Sequence, residues 1–181
     1  DAVVAQASWT PGVGSTGQGV GVALAFDANS FVGQVCRLHV DTETGQIIID
    51  RFDCVVDCGL VVNPEGVRHQ VEGAIVLSLS PALKEAIKFE NGKVLNNTFG
   101  QYDPLRITEA PRHIEVGFVE DKQNRMGGAG EPAVAPVMAA VVNAFYDLTG
   151  IHMYEVPLTK DRVLVALQEA GIATPEATPA S

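Results

Sequence analysis

Basic residues are scarce in this sequence: 12 Lys and Arg stand against 22 Asp and Glu, which gives a formal net charge of −10 at pH 7. A chain of this charge lacks the broad basic surface with which proteins bind nucleic acid or an anionic membrane. Cysteine is scarce too, and Cys36, Cys54 and Cys58 lack the four-ligand spacing of a structural zinc or iron–sulfur site. We therefore expect three reduced strand cysteines, no nucleic-acid partner and no metal ligands in this chain.

Long apolar segments are also missing. No stretch of about 18 residues runs without charge or proline, and no charged segment precedes an apolar one as in a signal peptide. We expect no membrane span within these residues. The sequence begins at Asp1 rather than Met, which suggests a processed product or a piece of a longer chain.

What is present fits one globular core. The chain has 181 residues, of which 46% are hydrophobic and 19% charged, a composition typical of a folded lobe. We predict an N-terminal arm at 1–16, whose Pro and Gly residues need another surface to order them. A lobe at 17–172 follows, and a flexible tail rich in Pro, Ala and Thr occupies 173–181.

A glycine-rich run, Met126–Ala133, carries one carboxylate, Glu131, to the start of a long apolar helix predicted to be buried. Glycines let a bulky group approach the main chain, and Pro132 fits the first position of a helix. The local pattern leaves two interpretations open. Glu131 either complements the helix dipole, which is worth about 0.3–1 kcal/mol, or acts as a base against a bound cofactor.

A second glycine-rich stretch, Gly17–Gly21, precedes an apolar strand. A phosphate-binding loop would end in Gly-Lys followed by Ser or Thr, and a dinucleotide fingerprint would have G-x-G-x-x-G between a strand and a helix. Neither pattern is present, which favours a turn before a strand.

A β-hairpin is predicted from the β-branched and apolar residues at 31–40 and 46–56, joined by a turn that ends at Gly45. Weaker signals predict short strands at 93–97, 114–120 and 153–156, a helix stop at Gly150 and a helix cap at Thr159.

A helix should start at Asn63 and Pro64, which suit the cap and first-turn positions. Its apolar residues recur every four positions, as in a helix laid on a sheet, and Pro81 should kink or end it. Gln70 lies beside the apolar stripe. Its amide is either satisfied within the core or reaches a polar ligand beneath the helix.

Three groups of residues in this chain resemble, in order and spacing, the C-terminal part of the large subunit of the molybdenum hydroxylases, the family of xanthine dehydrogenase and the aldehyde oxidoreductases. The resemblance runs from about Gly17 to Leu167 and is closest to the beta subunit of the isoquinoline 1-oxidoreductase type. The three groups are Val55–Gly59 with Val62–Pro64, Gln70–Ala74 and Leu79–Ser80; Asp103–Arg106 with Glu109–Pro111; and Gly128–Pro132.

The resemblance implies an α+β fold: a mixed sheet with long buried helices, forming the C-terminal lobe of a molybdopterin-binding domain that another chain completes. It implies hydroxylation of an aldehyde or N-heteroaromatic carbon with oxygen from water. Glu131 would be the general base on the Mo-bound hydroxide. Gln70 would lie against the molybdopterin, in its cytosine dinucleotide form, with Gly128, Ala129 and Gly130 lining the same site.

The family's large subunit is several times longer than this chain, so the resemblance implies partners. These are a chain carrying the N-terminal half of the molybdenum subunit, a separate [2Fe-2S] subunit, and a flavin or cytochrome electron acceptor, in the bacterial cytoplasm or periplasm. The alternative is a non-catalytic assembly subunit that binds a cofactor or nucleotide.

Overall fold

The predicted hairpin forms the centre of a four-stranded sheet with strand order β1-β2-β3-β6. The structure is a computed structural model that describes residues 1–10, 17–119 and 126–173. Along the chain lie α1 (Ala2–Gln6), β1 (Gly19–Asp27), β2 (Ser30–Val40), β3 (Ile47–Asp57), α2 (Pro64–Leu83), β4 (Phe89–Glu90), β5 (Lys93–Val94), β6 (Ile114–Phe118), α3 (Gly130–Val134), α4 (Val137–Thr149) and α5 (Lys160–Glu169).

The sheet is mixed, which confirms the predicted α+β class. β1, β2 and β3 are antiparallel, whereas β6 joins β3 in parallel after the chain has crossed over through α2. Alternate residues of the strands face α2, α4 and α5 and form the main core. The opposite face carries a smaller cluster against α1. β4 and β5 form a separate exposed ladder that covers only the first part of the strand predicted at 93–97.

α2 begins where the sequence predicts it to begin. The Asn63 side chain accepts a hydrogen bond from the Gly66 amide at 3.1 Å, and Pro64 is the first helical residue. Pro81 lies inside the last turn, and the helix ends two residues later at Leu83. One stripe of α2 is fully buried against the sheet: Val71, Ile75 and Leu79.

The glycines of β1 serve the packing of α4 and do not form a turn. A Cβ atom at Gly21 would lie 2.0 Å from the Ala140 carbonyl oxygen, and one at Gly19 would lie 2.1 Å from that of Ala144. Both distances are far shorter than a van der Waals contact, so the helix backbone lies directly on the strand. The prediction of a turn is wrong for these two positions, because strand β1 already begins at Gly19.

Part of the predicted arm is ordered on this chain's own sheet. α1 buries Val3, and the Gln6 amide donates to the carbonyls of Cys54, at 3.3 Å, and Glu115, at 3.1 Å. Arg37 also donates to the Ala7 carbonyl. The first six residues therefore need no partner chain for their helix, while the boundaries of the arm and tail stay predictions. Residues 11–16 and 174–181 lie outside the described residues.

The predicted long helix is divided. Pro136 has no N–H to donate to the carbonyl four residues earlier, and α3 ends at Val134 before α4 begins at Val137. Gly150 stops α4 in the left-handed conformation, as predicted. The 20-residue segment 130–149 could span a membrane by length and composition alone. In this structure α4 packs against β1 and β2 as a core helix does.

The last helix, α5, is capped by Thr159, whose hydroxyl accepts from the Arg162 amide at 3.4 Å. The strand predicted at 153–156 is wrong. The segment is irregular, and the amide of Leu158, two residues further on, donates to the Ala82 carbonyl near the end of α2. This part of the chain therefore hydrogen-bonds to the end of α2 instead of pairing with a strand.

Candidate functional site

An open groove of about 410 Å³ lies between the first half of α2 and the glycine-rich loop. We call it the α2 groove. Its lining comes from the end of β3, from α2 and from the loop: Cys58, Leu60, Val62, Asn63, Gly66, Val67, Gln70, Met126, Gly127 and Ala129. Several apolar side chains at its rim are exposed, Val62 to 76% and Met126 to 63%. A large exposed apolar rim around polar groups is typical of a binding site.

Main-chain hydrogen bonds hold the glycine-rich loop in place. The Gly127 amide donates to the Cys58 carbonyl at 3.0 Å, and the Gly128 amide donates to the Ala28 carbonyl at 2.9 Å. The buried Ser30 hydroxyl donates to the Gly128 carbonyl at 2.5 Å. The loop is therefore fixed between the end of β3 and the tip of the β1–β2 hairpin.

The hairpin tip has the backbone of a type I′ turn. Ala28 and Asn29 both have positive φ, 44° and 61°, and the flanking residues Asp27 and Ser30 face each other across the ladder. Ala28 is a non-glycine residue in a left-handed conformation, which costs about 1–2 kcal/mol. This turn aims the Ala28 carbonyl at the loop, so local strain supports the loop's position.

Gln70 lies beside the glycine-rich loop, and both line the α2 groove. Its side chain is exposed, and it makes no hydrogen bond with any described residue. A Cβ atom at Gly130 would lie 2.8 Å from Gln70 Oε1. Glycine at 130 thus lets the amide and the loop backbone approach each other. The amide makes no hydrogen bond in the core that the structure describes, so its role as a cofactor ligand stays a prediction.

Glu131 is the second residue of α3 and is exposed. Within the described ranges, its carboxylate has no hydrogen-bond or ion-pair partner. Ala129 caps α3 without a side-chain hydrogen bond, and the amides of Ala129 and Gly130 donate to no described residue. Pro132 is the third helical residue and not the first, so the predicted position is wrong by two residues. Proline is still tolerated there, because the amides of a helix's first turn have no partner within the helix.

Gln34 supports α3 from beneath, and the sequence reasoning missed it. This β2 residue is fully buried, and its Nε2 donates to the Ala133 carbonyl at 2.8 Å. Its Oε1 is buried without a hydrogen-bond partner among the residues that the structure describes. The one sequence signal that could have pointed to Gln34 is a glutamine among the apolar residues of a predicted strand, since glutamine is rarely buried without a reason.

The three cysteines are buried and reduced, and their reduced state agrees with the prediction. Cys36 and Cys54 lie on β2 and β3, and Cys58 follows β3 by one residue. Burial raises the pKa of Cys54 to about 12 and that of Cys36 further. Both therefore stay protonated at neutral pH and serve as small core residues.

A larger cavity, about 500 Å³, lies at the other end of α2 and contains none of the predicted site residues. Its central cation, Lys84, already pairs with Asp103 at 3.0 Å and with Glu109 at 2.9 Å. These three charged groups bind one another. Of the predicted site residues, Gln70 and Ala129 line the smaller groove, whereas Gly128, Gly130 and Glu131 are not among its lining residues.

A family model described as a molybdopterin cofactor-binding domain matches residues 2–111, which is more than half of the chain. The chain belongs to this family. One subunit of the nicotinate dehydrogenase of Pseudomonas putida is 39% identical over 137 residues, covering 76% of this chain and 12% of that protein. The beta subunit of isoquinoline 1-oxidoreductase from Brevundimonas diminuta is 31% identical over 158 residues, covering 86% of this chain and 20% of that protein.

The fold also matches solved members of this group. One match is the structure of quinoline 2-oxidoreductase from Pseudomonas putida 86, with a TM-score of 0.72 and 26% sequence identity. The match covers 77% of this chain and 19% of that protein's chain. The resemblance to a molybdenum hydroxylase large subunit is therefore confirmed. The chain spans a fifth or less of the length of the three proteins named here.

The α2 groove fits such a cofactor by its chemistry. A pterin is flat and presents hydrogen-bond donors and acceptors along its edge, and the exposed Gln70 amide offers both kinds of group. The Ala129 amide in the groove lining and the adjacent Gly130 amide, both unpaired among the described residues, add donors, and the apolar rim suits a planar ring. Gly128 differs from the other two loop residues, because both its N–H and its C=O bind the hairpin tip.

Proposed function

We propose that this chain is the C-terminal part of the molybdopterin-binding subunit of a molybdenum oxidoreductase. Its reaction would be the hydroxylation of an aldehyde or N-heteroaromatic carbon with oxygen from water. The observation that supports this most is the meeting of the exposed Gln70 amide with the loop that leads into Glu131, at Gly130. A flat polar ligand bound by Gln70 would therefore lie beside the loop that carries the Glu131 carboxylate.

The chain's own residues would hold the cofactor through neutral groups. Gln70 would bind the pterin edge through its amide, and the Ala129 and Gly130 amides would donate along the loop. Gly128 would hold the loop's shape through the hairpin tip. The bound molybdenum cofactor, in its cytosine dinucleotide form, would accept the two electrons released when the substrate carbon is oxidised.

Glu131 would act as the general base. Its exposed carboxylate, unpaired among the described residues, can take a proton from the water-derived oxygen as that oxygen attacks the substrate carbon. A positioned base contributes about 10² to 10⁴ in rate. Gln34 and the hairpin tip secure the backbone of α3 and of the loop before it, from which this carboxylate extends.

The open groove supports a need for partner chains. It offers one wall of a site, and the chain spans only 12% to 20% of the two named relatives. A chain carrying the N-terminal half of the molybdenum subunit would supply the other wall and exclude water. A [2Fe-2S] subunit, and then a flavin or cytochrome, would take up the electrons.

Metal analysis of the purified complex tests the proposal directly. We expect molybdenum, close to one atom per copy of this chain, together with an organic pterin released on denaturation. A complex that holds a nucleotide but no molybdenum would show the alternative, an assembly subunit that binds a nucleotide without chemistry.

Replacing Gln70 with Leu should lower molybdenum occupancy without unfolding the protein. The side chain is exposed and lacks hydrogen bonds to the described protein residues, so its loss costs little stability. A ligand amide left without its partner costs about 1–3 kcal/mol, or roughly 5- to 150-fold in affinity. Molybdenum per folded complex and thermal stability are measured on the same sample.

His69→Leu is the matched control, because His69 is also an exposed polar residue of α2 and lies outside the groove lining. It should keep both molybdenum content and stability. If Gln70→Leu instead lowered thermal stability with molybdenum unchanged, the glutamine would be a structural residue.

A further inference from the structure

Strand β1 is an edge strand, and its hydrogen bonding alternates. The type I′ turn pairs Asp27 with Ser30, so the odd-numbered residues of β1 exchange hydrogen bonds with β2. The N–H and C=O groups of the even-numbered residues therefore point away from the sheet. These residues are Val20, Val22, Leu24 and Phe26.

α4 closes the first half of this edge. The Asp147 carboxylate accepts from the Val20 amide at 2.9 Å, and the Asn143 amide donates to the Val22 carbonyl at 2.9 Å. Both bonds confirm that the even-numbered groups point outward. No described residue forms such a bond with Leu24 or Phe26, so the second half of the edge is open toward the part of the chain that the structure describes.

The side chains of the open half are apolar and exposed. Leu24 is 77% exposed and Phe26 is 62% exposed, and the Phe26 ring centroid lies 4.5 Å from that of Phe31. α1 covers the same face only as far as Val3, which lies against Gly33. An edge strand with an open ladder and exposed apolar side chains is a template for another strand.

We propose that the edge at Leu24–Phe26 receives an extended segment from the part of the molybdopterin-binding subunit that lies outside this chain. Two N–H and two C=O groups would pair with that segment, and its apolar side chains would cover Leu24 and Phe26. This identification of the occupant rests on the proposed function, in which the remainder of the same subunit supplies the second wall of the α2 groove.

Two observations favour this occupant over others. The relatives are several times longer than the matched region, so most of such a subunit lies elsewhere. The open edge also runs into the hairpin tip that holds Gly128. A strand added there would end beside the hairpin tip, which holds the loop that forms one side of the α2 groove.

Hydrogen exchange in the assembled enzyme tests the edge itself. The Leu24 and Phe26 amides should exchange at least about 100-fold more slowly than the Gly92 amide in the exposed β4–β5 turn, as the Val20 amide should do. Rates for Leu24 and Phe26 within about tenfold of Gly92 would overturn the proposal. Molybdenum content, measured separately, decides the proposed function, so the two can fail independently.

Photo-crosslinking identifies the occupant. Phe26 is replaced by p-benzoylphenylalanine in the complete complex, and the linked peptide is sequenced by mass spectrometry. A peptide from the remainder of the molybdopterin-binding subunit supports the proposal. A peptide from residues 1–16 of this chain, from a second copy of it or from the iron–sulfur subunit overturns it.

A pair of variants separates the backbone from the side chain. Leu24→Pro removes an outward N–H that β2 does not use, which an edge strand tolerates, whereas Leu24→Thr keeps the N–H. We expect Leu24→Pro to lower the yield of assembled complex about tenfold relative to Leu24→Thr. Equal yields from the two variants would contradict strand addition.

Discussion

Glu131→Gln is expected to lower the rate at which substrate reduces the molybdenum centre by about 10² to 10⁴ in a single turnover, at unchanged molybdenum content. The amide keeps the size and hydrogen-bonding capacity of the carboxylate but accepts no proton at neutral pH. This loss corresponds to roughly 3 to 5 kcal/mol in the activation barrier. A carboxylate that only complements the dipole of α3 would instead contribute under about 1 kcal/mol, and to stability alone.

Asp161→Asn is the matched control, because Asp161 is also an acid in the first turn of a helix, α5. It makes the same exchange of carboxylate for amide away from the α2 groove and should leave the rate unchanged. A Glu131→Gln rate within about tenfold of the parent, at full molybdenum loading, would show that Glu131 is not the base.

Gly21→Ala should destabilise the folded chain by about 3 kcal/mol or more, the largest structural effect we expect from one methyl group. The new Cβ would lie 2.0 Å from the Ala140 carbonyl oxygen and 2.2 Å from the Ala144 nitrogen. Both are backbone atoms of a buried helix, so no rotamer change relieves the overlap and α4 must move. For a domain of this size, this corresponds to a fall of roughly 6 to 12 °C in melting temperature.

Gly73→Ala provides the control for this prediction. Gly73 lies on α2, and a Cβ atom there meets no atom within 4 Å. Alanine in an open helical position should stabilise the protein by up to about 1 kcal/mol. If Gly21→Ala and Gly73→Ala shifted the melting temperature equally, the close contact between β1 and α4 would be wrong.

Features that depend on a few neighbouring residues could be predicted from the sequence. Asn63 and Pro64 mark the start of α2 because a cap and a first turn involve only the next few amides. Gly150 stops α4 for the same local reason. The hairpin of β2 and β3 follows from its β-branched and apolar residues and from a turn in which Asp41 accepts the amides of Glu43 and Thr44.

Features that depend on distant partners could not be predicted. The role of Gly21 depends on α4, more than 100 positions later, and α1 is held by carbonyls of β3 and β6 that no local pattern reveals. The segment at 153–156 has strand-forming residues but no ladder to join among the described strands. For Glu131 and Gln70 the family resemblance supplied the roles, and the structure adds only that both are accessible and lie beside the same loop.

The bonds between the glycine-rich loop and the hairpin tip bear on the order of folding. Ser30 and Gly128 are 98 positions apart in the sequence, so this contact closes a long loop of chain and carries a high entropic cost. β2 and β3 are joined by a short turn and can pair early. We expect the hairpin to form first and the glycine-rich loop to reach its place last, so that the cofactor enters a protein whose sheet already exists.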